Sequence, residues 1–229
     1  MSQNLLKRII TSIILLLLLF FINFAHQYIF IFSILILSII ICLEANNLFS
    51  KLLNKKNTKN IFFFEKFNSK LATLNIITFC YIFFIFCNFS YKIHISESPV
   101  IFLYIISICF FTDIGGYTFG KIIGGKKLSK ISPNKTISGT AGSFILSLAP
   151  LILILNFDFF DLELNYKSLI FCLLISLISQ LGDLFVSFIK RKAKMKDTGN
   201  LLPGHGGVLD RLDGIIFAVP FSYFLLKLI

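Results

Sequence analysis

The chain has no tryptophan, three histidines, two methionines and only 14% charged residues in 229. Soluble domains carry about 25% charged residues. With 56% hydrophobic residues, this charge content excludes an ordinary water-soluble globule and places most of the chain in a bilayer. The lack of tryptophan removes the usual indole belt, leaving Tyr and Phe to mark the interfaces. The five cysteines, Cys42, Cys80, Cys87, Cys109 and Cys172, all lie inside apolar runs without close ligand spacing. That argues against a structural zinc site or a disulfide framework and for small buried hydrophobes. Acidic residues are also scarce, 11 against 22 basic ones. The surplus of positive charge does not imply a nucleic-acid partner, because the basic loops lack interleaved aromatics and are bounded by membrane-grade apolar runs.

What is abundant is apolar sequence in long runs. A helix needs about 20 apolar residues to cross the hydrocarbon core. Hydropathy therefore predicts an all-α polytopic membrane protein with about seven transmembrane helices, near 8–24, 28–48, 71–90, 99–120, 138–157, 168–189 and 212–228. The turnaround at Ala25 to Gln27 is so short that the first two stretches are alternatively a re-entrant hairpin. Lys7 and Arg8 precede the first run as in a signal peptide, but no small-x-small site follows, so an uncleaved first span is expected. All basic residues except Lys92, Lys167 and Lys227 fall at one set of span ends. By the positive-inside rule those ends, and the N-terminus, are expected in the cytoplasm, with the C-terminus on the far side. The lysine-rich loop from Lys51 to Lys70 contains no glycine or aspartate and reads as a topogenic, lipid-attracting segment. Residues 1–97 are expected to be N-terminal transmembrane helices, and 98–229 a membrane-embedded catalytic region.

Chemistry is concentrated in two polar segments. An ionisable residue inside a span is costly and points to function. Asp183 is such a residue, and Ser176, Gln180, Asp183, Ser187 and Lys190 recur at helical spacing as one polar stripe. Asp210 and Asp213 lie one turn apart where the last span begins, with Arg211 between them. Acids there also offset a helix dipole. Three carboxylates beside a cationic loop suit magnesium, which takes one or two carboxylates and completes its shell with water and phosphate oxygens. The intervening Leu202-Pro203-Gly204-His205-Gly206-Gly207 turn offers successive amides as a candidate anion nest, with His205 as a hydrogen-bond donor. In the second segment, Gly116, Gly120 and Gly124 recur every four residues, a helix-packing pattern. Ser132-Pro133-Asn134-Lys135-Thr136 then delivers hydroxyls and a lysine to a helix predicted to begin near Ser138, a phosphate-favouring arrangement. It lacks the spacing of a Walker A loop.

The run from Ser187 to Asp213 resembles the signature of the phosphatidate cytidylyltransferase (CDP-diglyceride synthase) family. The resemblance is carried by Ser187, Ile189, Lys190-Arg191, Lys196-Asp197, Gly199, Pro203, His205-Gly206-Gly207, Asp210-Arg211 and Asp213. Ser132-Pro133-x-Lys135-Thr136 and Asp113-x-Gly115-x-Tyr117 resemble the family as well. Ser138 stands where that family usually has an acid, and Ile114 where a small hydroxyl is common. The first hundred residues share only a hydropathy profile with it.

The resemblance implies transfer of CMP from CTP to phosphatidic acid, with magnesium required and a monovalent cation as a candidate second ion. It implies metal binding by Asp183 and Asp210, assisted by Asp213. Phosphate binding falls to Lys190, Arg191, Lys196 and Arg211. Asp113, Ser132, Lys135, Thr136, Ser187, His205, Gly206 and Gly207 complete the substrate pocket. It also implies an inner-membrane location in a bacterium, a cytoplasm-facing site and a homodimer. Two rival readings are a CTP-dependent polyprenol kinase and an anion transporter. The full signature argues against the first. The lack of an internal repeat argues against the second.

Overall fold

The computed structural model describes residues 3–53, 69–128, 132, 135–155, 165–202 and 206–228. Among these all the regular elements are helices, with two isolated antiparallel bridges, Lys127 to Thr136 and Leu202 to Gly206, in place of any strand. It is an all-α integral membrane protein. Four helical stretches are long and apolar enough to cross a membrane: Gln27–Leu53, Ser69–Glu97, Pro99–Ile122 and Tyr166–Lys192. The other three predicted stretches carry one further continuous helix and two interrupted ones. These are α1 (Gln3–Phe24), the pair α6 (Ile137–Leu146) and α7 (Ala149–Leu155), and the pair α9 (Leu209–Leu212) and α10 (Ile215–Leu228). Pro220 lies inside α10, a position that bilayer helices tolerate when neighbours satisfy the freed groups.

Two compact units are present, and neither is a continuous piece of sequence. One comprises 1–88 and 189–212, the other 89–188 and 213–229. The polar loop after Lys192 belongs to the first unit, where it is bonded to Glu44 and Asn47.

The first unit is built on α2 (Gln27–Leu53), against which α1, α3 (Ser69–Cys80) and a π-helical segment, Tyr81–Cys87, pack. Phe30, Ile34, Ser38, Ile41, Ala45 and Leu48 are buried at spacings of three and four, one stripe of the helix. The opposite face exposes Phe32 and Leu43, each 65% accessible, as lipid-facing residues do. Ser38 Oγ donates to Ile34 O at 2.8 Å and lies 2.9 Å from Cys87 Sγ, a polar contact between helices.

The second unit centres on α5 (Pro99–Ile122), packed by α6, α7 and α10. Ser98 caps α5 by accepting from Val100 N and Ile101 N at 3.2 and 3.1 Å, with Pro99 in the first turn. Small residues let α5 and α6 touch backbone to backbone. A Cβ on Gly115 would collide with Gly142 O, one on Gly116 would sit 2.8 Å from Ser143 Oγ, and one on Gly142 would enter the Phe119 ring. Gly116 and Gly120 thus pack helices as their spacing predicts. Gly124 does not: α5 ends at Ile122, and Gly124 turns the chain at φ 65° with open space around it. A polar chain ties three helices together. Ser143 Oγ donates to Thr112 O (2.8 Å), Thr112 Oγ1 to Ser176 Oγ (3.0 Å), and Gln180 Nε2 to the same Ser176 Oγ (3.3 Å).

Candidate active site

The sequence-predicted site residues fall into two groups, one within each unit. In the first unit the last turn of α8 (Tyr166–Lys192) carries Lys190, Arg191 and Lys192, cations that suit the negative end of a helix dipole. The helix is stopped by Lys194 in the left-handed region, φ 57°, with Met195 N donating back to Lys190 O at 2.9 Å. The chain then folds back, and Asp210 at the start of α9 organises it. Its Oδ1 accepts from Lys190 Nζ at 2.8 Å. Its Oδ2 accepts from Thr198 N at 2.7 Å and Gly207 N at 3.0 Å. Lys190 and Asp210 are both nearly inaccessible, 11% and 7% at their side chains. Arg191, Lys196 and Arg211 are exposed in the same unit, which leaves their cationic heads at the surface.

A residue that sequence reasoning passed over completes this group. Glu44, on α2 and only 5% exposed, accepts from Thr198 Oγ1 (2.8 Å), Val208 N (3.0 Å) and Leu209 N (2.9 Å). Gly206 N donates to Leu202 O at 3.2 Å. The amides of 206–209 are thus all occupied from within the chain, and the nest expected to receive a substrate anion holds the protein's own carboxylates instead. A signal for Glu44 was available, since it is an acid in an apolar run, the criterion that singled out Asp183. His205 and Pro203 lie outside the described residues.

In the second unit Asp183, on α8, forms an ion pair through Oδ2 with Lys135. It accepts from Ser187 Oγ through Oδ1 at 3.1 Å and is within hydrogen-bonding reach of the Asp213 side chain. Asp213 is 8% exposed, and its Oδ1 accepts from Gly214 N at 3.0 Å. Close contact between two acidic side chains favours a proton or a cation beside them, and Lys135 supplies one positive charge. Lys135 is placed by a turn in which its N donates to Ser132 O at 3.1 Å, followed by Thr136, the N-cap of α6, whose Oγ1 accepts from Gly139 N at 3.1 Å. Ser138 is absorbed locally, bonding Gly124 O and Thr136 Oγ1. Asp113 is exposed on α5, as is Ile114 beside it.

Asp183 and Asp213 therefore come together with Lys135, while Asp210 belongs to the other group. Among the described residues no three His, Cys, Asp or Glu side chains converge tightly enough to hold a metal by themselves. The sequence model of the cytidylyltransferase family matches residues 57–229, which include both groups except Glu44. The chain belongs to the cytidylyltransferase family. Its curated relatives include the phosphatidate cytidylyltransferases of Bacillus subtilis (strain 168), 46% identical over 118 residues, and of Staphylococcus haemolyticus (strain JCSC1435), 44% identical over 125. These alignments cover 51% and 54% of this chain and 44% and 48% of the relatives. The enzyme of that name from Staphylococcus aureus (strain COL) is 45% identical over 134 residues, 57% of this chain and 50% of its own. The chain thus spans about half the length of the curated relatives it matches. Within this chain, the signature's Lys190 and Asp210 are ion-paired to each other, and its Ser187 is bonded to Asp183.

Proposed function

We propose that the chain transfers CMP from CTP to phosphatidic acid, giving CDP-diacylglycerol and pyrophosphate, at the cytoplasmic face of a bacterial plasma membrane. The observation that carries this reading is that the signature from Ser187 to Asp213 folds into partnered carboxylates and cations within an apolar helical protein, in a chain whose relatives bear that name. The sidedness rests on the concentration of basic residues at one set of span ends.

The nucleophile would be a phosphate oxygen of the lipid. It forms a bond to the α phosphorus of CTP as the bond from that phosphorus to the β-bridging oxygen breaks, and pyrophosphate leaves. That oxygen is already anionic at neutral pH, so no strong general base is required. The barrier lies in bringing two polyanions together, a problem of positioning and electrostatics. Lys135 and Lys190 are held by the carboxylates of Asp183 and Asp210, which fixes their ammonium groups. The exposed Arg191, Lys196 and Arg211 add positive charge that draws in nucleotide phosphates.

Asp183 and Asp213 fit magnesium: both offer hard oxygen donors, they touch, and two carboxylates are the number this ion commonly takes from protein. When bound there, the ion would neutralise phosphate charge. The loop-organising bonds of Asp210 account for its carboxylate without a metal. The test is purified protein in mixed micelles with phosphatidic acid, magnesium and CTP labelled at the α phosphate. Label is expected in CDP-diacylglycerol, with pyrophosphate released. Transfer of a γ label to a lipid alcohol instead would refute the reading in favour of a kinase.

A further inference from the structure

Glu44 lies in the second half of α2, between the apolar run that ends at Leu43 and the polar Asn46-Asn47 pair, and it is ionisable yet almost wholly buried. A buried carboxylate is tolerated when hydrogen bonds replace its water. Here three donors do so, all from the segment that follows α8: Thr198 Oγ1, Val208 N and Leu209 N, at 2.8 to 3.0 Å. One turn further along α2, Asn47 Nδ2 reaches Thr198 O at 3.5 Å.

These bonds interlock with those of Asp210. Thr198 gives its hydroxyl to Glu44 and its amide to Asp210. Gly207 N goes to Asp210, and the next two amides go to Glu44. The two carboxylates therefore grip both limbs of the loop at 198 and at 207–209. Glu44 also dictates two of its glycines. A Cβ on Gly199 would lie 2.6 Å from Glu44 Oε1, and one on Gly207 would collide with Glu44 Oε2 and Thr198 Oγ1. Two positions of the 187–213 signature are glycine because a side chain from a different helix, outside the matched residues 57–229, fills the space.

We infer that Glu44 is a positioning residue of the transfer reaction: it anchors the loop that carries Lys196, Asp197 and Asp210, and it occupies the amides of Val208 and Leu209, as Asp210 occupies that of Gly207, so that substrate phosphates meet the loop's side chains and not these amides. The role in turnover rests on the function proposed above. The anchoring does not.

The experiment pairs amide hydrogen exchange with kinetics on the full chain in micelles. Glu44→Gln keeps the size of the side chain but puts an NH2 where backbone N–H groups point. Exchange of the 198–209 segment is expected to rise about tenfold to a hundredfold, with α5 and α6 unchanged. The kcat/KM for CTP is expected to fall over the same range, while the KM for phosphatidic acid stays within about twofold. Thr198→Val, which removes one donor and leaves the Glu44 carboxylate in place, is expected to give a smaller loss that Thr198→Ser restores. Gly199→Ala is expected to be damaging in the wild-type background and nearly silent in Glu44→Ala. Unchanged loop exchange in Glu44→Gln, or faster exchange with kcat/KM intact, would overturn the inference. If wild-type protein makes no CDP-diacylglycerol, the proposed function fails, and exchange still decides the anchor.

Discussion

The buried pair of Lys190 and Asp210 allows a quantitative test of how the loop is held. Replacing Asp210 by Asn leaves the Lys190 ammonium without its counter-charge in a nearly inaccessible site and weakens two bonds to Thr198 N and Gly207 N. Removing one partner of such a pair costs about 3–5 kcal/mol. Lys190→Met is milder, because Asp210 keeps both amide donors; the loss of one charge-assisted bond is about 1.5–3 kcal/mol. In Lys190→Met/Asp210→Asn no ammonium is orphaned. The double variant is therefore expected to cost about as much as Asp210→Asn alone, and the coupling energy to be about 1.5–3 kcal/mol, the cost of Lys190→Met that is not added. Local opening free energies from amide exchange at 198–209 supply all four corners of the cycle without requiring reversible global unfolding. Additive costs, with coupling below about 0.5 kcal/mol, would show that the two charges do not act as a pair and would refute the reasoning.

Other outcomes follow from the second unit and from the helix contacts. Asp213→Asn should lower cytidylyl transfer at limiting magnesium more than at saturating magnesium, and titration of activity against the ion checks this; equal loss at both would refute a metal role. Gly142→Ala should destabilise by about 1–3 kcal/mol, because its Cβ enters the Phe119 ring. Gly124→Ala should cost only about 1 kcal/mol of backbone strain, since the space around it is open; thermal denaturation in one detergent ranks the two. Thr112→Val removes a donor to Ser176 Oγ and should cost about 0.6 kcal/mol, the average for an interhelical bond in a membrane, measurable by the same assay.

Much of the fold was legible because apolar runs and helical periodicity are local properties. The polar stripe through Ser176, Gln180, Asp183 and Ser187 could be read by counting residues, whereas the buried stripe of α2 could not, because its opposite face is just as apolar. Gly116 and Gly120 announced close packing, whereas Gly124, at the same spacing, lies past the helix end; a period of four does not say where a helix stops. The nest at Gly206 and Gly207 was legible as a place for an anion. Which groups occupy it was not: Gly206 N meets the Leu202 carbonyl and Gly207 N meets Asp210, while the next two amides meet Glu44, more than 150 residues away in sequence.

The sequence by itself determined that this is an all-helical membrane protein, that it belongs with the cytidylyltransferases, and that its chemistry lies in two polar segments. Those conclusions depend on composition, hydropathy and motif spacing, which need no partner. The tertiary structure decided the partners: Lys135 with Asp183, Asp213 beside Asp183, Lys190 with Asp210, and Glu44 with the loop it holds. Pairing is a matter of which buried charge and which buried donor must satisfy each other once water is excluded, and only the folded chain brings them within reach.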